Sequence, residues 1–262
     1  MPILNADQAL AGMRAPFPLF RASMTAEGAG TFQSLWKGTG MPGSGANPPL
    51  FSAGSGYVPD DTTAGAITFV NNLQTYLGRL AIAGPTTGML TLYDRVWACS
   101  GFGTVVTTAQ NVTTPLLPGR QGGNYVGVEA WGEVYTAPRA TGANWTLAYT
   151  DELGNASTSV YAHPANAETV GQMFPFPLAP GDRGVQSVQS LTCSVSSGTA
   201  GDIGVTLMRR IAEIQITPGG LVLDAFGVGL PPIPDDACLA MMVLCSTTST
   251  GSIIGSLSLT QG

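Results

Sequence analysis

From residue 89 onward the chain is a succession of short apolar, Thr- and Val-rich runs, each closed by Gly, Pro, Asn or Asp. The run Leu90-Thr91-Leu92-Tyr93-Asp94-Arg95-Val96-Trp97-Ala98-Cys99 is representative, and Tyr125 to Thr136, Val185 to Val195, Ile203 to Ile216, Ala237 to Ser246 and Ile253 to Leu259 repeat it. β-Branched and aromatic residues suit a pleated, half-buried surface, and the turn residues between runs stop each one at strand length. Strand follows strand without an intervening helix, so a parallel α/β sheet is excluded. The pattern predicts strands over 89–99, 104–113, 125–136, 144–150, 157–161, 185–197, 203–216, 237–247 and 252–260. Eight or nine strands with long connections predict a mainly β fold, a jelly-roll-like two-sheet antiparallel sandwich.

The first third of the chain reads differently. Residues 5–13 are compatible with a short helix that Asn5 or Asp7 caps. From Lys37 to Asp61 the density of Gly and Pro rules out a continuous helix or a central strand. The apolar anchors of this stretch, Leu35, Trp36, Leu50, Phe51 and Tyr57, are too many for a free linker, so an arm packed on its own domain or on a neighbouring subunit is expected. Apolar positions 66, 69, 70, 73, 76, 77 and 80 form a helical stripe that predicts a helix closing one end of the sandwich. The expected organisation is an N-terminal arm with one or two short helices over 1–84 and a β-sandwich domain over 85–262. Deletion of residues 1–62 is expected to leave a folded core.

Charge narrows the function. Only 10% of the 262 residues are charged, against about 25% in an average soluble protein. The surface must then consist largely of Thr, Ser, Ala, Gly and Asn, which guards poorly against association, and coverage in an assembly is expected. A net charge of −6, with ten Lys and Arg spread along the chain, excludes the basic patch that nucleic acid requires. No window approaches the ~20 apolar residues of a membrane-spanning helix. The start, Met1-Pro2-Ile3-Leu4-Asn5, lacks a basic flank before an apolar core and does not read as a secretion signal, so assembly in a cytoplasm is expected.

Reactive side chains are few, and each has a structural explanation. Cys99, Cys193, Cys238 and Cys245 sit in strand-like runs without metal-ligand spacing and read as buried thiols. The single histidine, His163, lies beside a proline and reads as a loop residue, with no nucleophile or orienting acid signalled nearby. The doublets Asp60-Asp61, Asp151-Glu152 and Asp235-Asp236 read as turns, because adjacent carboxylates do not flank the gap of ~5–10 Å that glycoside hydrolysis needs. Trp97, Trp131 and Trp145 fall at core positions of strands. No catalytic, cofactor-binding or metal-binding residue is expected. Asp94 and Arg95 stand out, since neighbours in a strand point to opposite faces and at least one charge must be buried or meet another chain. They read as an intersubunit or inter-sheet polar lock, and Trp36, Phe51, Tyr57, Asp94 and Arg95 are the expected interface residues.

The segment Leu92 to Phe102, with Thr107-Thr108-Ala109-Gln110, Leu116-Leu117-Pro118-Gly119-Arg120, the stretch Phe176 to Val188 and the run Ala237-Cys238-Leu239, resembles virion structural proteins of tailed bacteriophages. The resemblance covers roughly residues 85–262 and transfers no catalytic residue. It implies a nonenzymatic virion component, assembled in the host bacterial cytoplasm. The form expected is a capsid decoration or cement protein that associates with itself, with a trimer favoured, and with the major capsid protein or other virion proteins. The alternative is a tail, collar or spike component, including an adhesin for a host-surface glycan.

Overall fold

The computed structural model describes residues 3, 5–22, 28–70, 73–115, 117, 120, 123–136, 142–163, 169–248 and 251–262. The fold is mainly β, built from antiparallel sheets with a few short helices, of the sandwich type expected. The helix expected near the N-terminus is Ala6–Ala11, and the Asn5 side chain caps it by accepting from the Gln8 amide at 2.9 Å.

The contacts divide the chain differently from the expected boundary at 84/85. One unit comprises Met1–Ala46, Asp60–Asp94 and Arg210–Gly262, and the other Asn47–Pro59 and Arg95–Arg209. Two of the boundaries fall inside the long strands Gly88–Gly103 and Asp202–Ile216. Each unit has its own apolar core. The supposed arm is therefore not an appendage, because residues 1–46 and 60–84 share a unit with the C-terminal strands.

In the first unit a sheet runs in the order Leu221–Leu223, Thr75–Ala83, Ile253–Gln261, Phe17–Arg21, Gly40–Met41. Its inner face contributes Leu19, Leu80, Ile82, Ile253 and Leu257 to the core. Leu239–Cys245 pairs with Phe32–Ser34 and with the start of Gly88–Gly103. Thr75–Ala83 occupies the place where a helix was expected. Residues 66–70 have no regular structure, and 71–72 lie outside the described residues. The reason is a bulge: Leu77 pairs with Leu259 and Arg79 with Ser258, which leaves Gly78 without a partner in the ladder. Buried side chains consequently fall at Thr75, Leu77, Leu80 and Ile82, with the side-chain-less Gly78 also buried, and the step of three across the bulge imitates helical spacing.

In the second unit a four-stranded sheet runs Gln110–Asn111, Val185–Cys193, Ala143–Asp151, Ala156–His163. Val128–Thr136 pairs with Gln172–Pro175 and with the first half of Asp202–Ile216. The strand expected over 104–113 shrinks to Gln110–Asn111, because Gly103 to Ala109 turn through a loop in which the Gln110 carboxamide closes on both backbone groups of Gly103. Trp97, Trp131 and Trp145 are all buried, as expected of core residues.

Candidate functional site

The charged pair Asp94-Arg95 resolves into two separate buried contacts. Extended backbone sends the two side chains to opposite faces. The Asp94 carboxylate accepts from the Cys238 amide at 2.9 Å, inside the first unit. Arg95 enters the second unit, where its Nη2 donates to Glu133 Oε2 at 2.7 Å and to the Tyr135 hydroxyl at 2.6 Å. Glu133 and Tyr135, two apart on Val128–Thr136, share a face, and the Tyr135 hydroxyl donates to the same Glu133 oxygen at 2.5 Å. Thr206, on Asp202–Ile216, adds a fourth group at 3.1 Å. Burial raises the Tyr135 hydroxyl well above its ordinary pKa, which keeps it a donor.

The Arg95 and Glu133 side chains are 0% exposed. A carboxylate with no solvent access and three donors converging on one oxygen reaches no substrate. It acts as a polar lock between three strands of one unit.

The other expected interface residues are also held by their own chain. Trp36 is buried, its indole N–H donates to the Ala46 carbonyl at 2.9 Å, and Lys37 reaches the Gly45 carbonyl at 3.2 Å. Arg21, from the neighbouring strand, donates to the Gly38 and Pro42 carbonyls at 2.7 and 2.5 Å, and desolvation lowers its pKa to about 10. These donors bind the loop 38–46 to the first unit. Residues 47–59 lie along strand Gly88–Gly103 in the second unit: Tyr57 exchanges backbone hydrogen bonds with Ala98, both at 3.0 Å, and Ser100 donates to the Pro48 carbonyl at 2.6 Å. Phe51 stacks on Phe102 with ring centroids 5.0 Å apart. Arg120 fastens the end of this segment by donating to the carbonyls of Pro59 and Arg95 at 2.8 and 3.1 Å.

Four further titratable groups among the described residues take structural positions. Asp60 accepts from Thr62 and Thr63, and Asp151 from the amides of Leu153 and Asn155, as turn carboxylates do. Those bonds hold both carboxyls below their ordinary pKa. Burial pushes the Cys99 thiol up to about 12, which makes it a poor nucleophile. His163, expected in a loop, ends strand Ala156–His163, buried and edge-on to Phe174 with centroids 5.1 Å apart. The strand extends further than its proline suggested, and residues 164–166 lie outside the described residues.

The feature that sequence reasoning did not find is the outer face of the first unit's sheet. Met41, Phe20, Ile254 and Ala83 are successive register partners across four strands. Two residues along, Pro18, Ser256, Ala81 and Val222 form a second row on the same face. Met41 is 46% exposed, Phe20 43%, Ile254 55% and Val222 52%. None of the eight residues carries a charge. The rows unite segments up to 238 positions apart, from Pro18 to Ser256, so no local periodicity displays them.

Comparison with known proteins finds no matching family model and no matching curated protein. Among solved structures, the chain aligns with the VP2 subviral particle of infectious bursal disease virus at 11% identity and a TM-score of 0.21, over 96% of this chain and 81% of that one. The Gt strain of the same virus aligns at 12% identity and a TM-score of 0.18, over 95% and 82% of the two chains. The Gx strain aligns at 13% and 0.20, over 95% and 81%. Likeness at this level carries no argument about function.

Proposed function

We propose that this chain is a nonenzymatic structural component of a virion, a decoration or cement protein that stabilises a bacteriophage capsid through oligomeric contacts. The observation that carries the reading is the pair of uncharged rows on the outer face of the first unit's sheet, with Phe20, Met41, Val222 and Ile254 exposed. A contiguous exposed apolar patch marks a surface meant to be covered. Charge to keep it apart from neighbours is scarce: of 26 charged residues, Arg21, Asp61, Asp94, Arg95, Glu133 and Asp151 are themselves buried. The phage assignment rests on the resemblance of residues 85–262 to tailed-bacteriophage virion proteins.

Covering apolar surface contributes ~25 cal/mol per Å², and repetition over many copies multiplies a modest contact into a shell that resists bursting. The partners under this proposal are further copies of the chain, with a trimer as the favoured oligomer, and the major capsid protein. Phe51 and Tyr57, half-buried residues of the second unit, are proposed as a separate intersubunit contact. Trp36 serves the first unit's face indirectly, by holding the loop that carries Met41, while Asp94 and Arg95 each fix a strand within their own unit.

The test is the copy number of this chain per purified particle, by quantitative mass spectrometry against the major shell protein. A ratio near one, or a simple fraction such as one third, is expected. A handful of copies would move the chain to the neck or tail, and absence from particles would overturn the virion reading.

A further inference from the structure

The terminal strands of the sheets are not equally protected. An unpaired edge is a template for another chain, and proteins blunt it with shortness, charge, proline or bulges. In the first unit the sheet ends on Gly40–Met41, two residues, and Leu221–Leu223, three residues. In the second unit one end of the four-stranded sheet is Gln110–Asn111, again two residues. The other end is Ala156–His163, with eight.

The strand itself carries none of these protections. The sequence Ala-Ser-Thr-Ser-Val-Tyr-Ala-His contains no Lys, Arg, Asp, Glu, Pro or Gly. Its register with Ala143–Asp151 is continuous from Ala143↔His163 to Thr150↔Ala156, without a bulge to twist it away. Among the described residues no strand pairs on its outer side. An antiparallel edge of eight residues presents roughly four N–H and four C=O groups outward.

We propose that Ala156–His163 is a β-augmentation edge whose occupant is the same strand of a second copy, paired antiparallel about a two-fold axis at Val160. Charge permits this occupant, and same-face pairing requires the two-fold to be centred on a residue. Self-pairing about a two-fold brings each residue near its own counterpart, so any charged side chain close to the axis would meet its like. This strand has none to oppose. Its side chains alternate, with Ala156, Thr158, Val160 and Ala162 outward and exposed, and Ser159 and His163 inward and buried. Cross-strand partners must lie on one face, so outward residues must meet outward residues. Val160 opposite Val160, with Thr158 opposite Ala162, satisfies this and joins two four-stranded sheets into one of eight. The contact deepens the proposed building-block role and rests on that reading, adding a two-fold link to whatever oligomer other faces form.

The experiment is sedimentation of the full chain over a range of concentrations, wild type against Val160→Lys and Val160→Thr. Val160 is 50% exposed, so lysine there is accommodated by the free chain. Unfolding midpoints of the three proteins confirm that each is folded. The wild type and Val160→Thr are expected to form a species of twice the mass reached by Val160→Lys. Hydrogen exchange of the amides in 156–163 is expected to slow as wild-type concentration rises, and not in Val160→Lys. Equal masses for wild type and Val160→Lys overturn the edge contact. If that shared mass exceeds one chain, self-assembly through other surfaces stands and only this inference fails, while the copy number per particle tests the virion role independently.

Discussion

At the scale of single residues, the Arg95 lock places a fully buried ion pair in the interior of the second unit. A buried ion pair contributes little net stability beside an apolar replacement, but removing one member leaves an uncompensated charge out of water. Glu133→Ala strands the Arg95 guanidinium beside the Tyr135 hydroxyl and is expected to cost ~3–5 kcal/mol, read from the shift of the denaturant midpoint. Replacing both members, Arg95→Met with Glu133→Leu, is expected to recover most of that loss. A loss below ~1 kcal/mol for the single variant would show that water or another group compensates Arg95. The presence of a charge at Arg95 and Asp94 was legible from alternation along an apolar strand. Their partners were not, since Glu133 lies 38 residues and Cys238 144 residues away.

At the scale of elements, most strands were readable because turn residues bracket β-branched runs, as in Val128–Thr136 and Ile253–Gln261. Thr75–Ala83 was not, because the bulge at Gly78 breaks the two-residue period from which a strand is recognised. Close approach between backbones is equally hidden. A Cβ built on Gly255 would stand 2.1 Å from the Ala81 carbonyl oxygen of the paired strand, whereas one on Gly219 meets nothing within 4 Å. Gly255→Ala is therefore expected to force the two strands apart and cost ~1–3 kcal/mol, with Gly219→Ala close to neutral. Thermal unfolding of the pair of variants checks this, and equal midpoints would show that the sheet yields without cost.

At the scale of the whole molecule, the N-terminal third is part of a core. Deleting residues 1–62 removes the strand Phe17–Arg21 and the buried side chains of Leu19, Leu35 and Trp36. Each large apolar side chain contributes ~1.5–3 kcal/mol on burial, so their joint loss rivals the ~5–15 kcal/mol that holds a domain folded. The truncated chain is expected to lose cooperative unfolding in its first unit, seen by calorimetry as a missing or broadened transition. An intact transition would return residues 1–62 to the status of an arm. The sequence by itself determined the β class, the positions of most strands, the scarcity of charge and the burial of the tryptophans, because these follow from local periodicity and composition. Only the tertiary structure decided the division into two units, the partners of Arg95, the uncharged rows from Met41 to Ala83 and from Pro18 to Val222, and the edge at Ala156–His163, on whose outer side no described strand pairs. Those depend on which distant segments become neighbours in a sheet, and strand pairing leaves no period along the chain from which to read it.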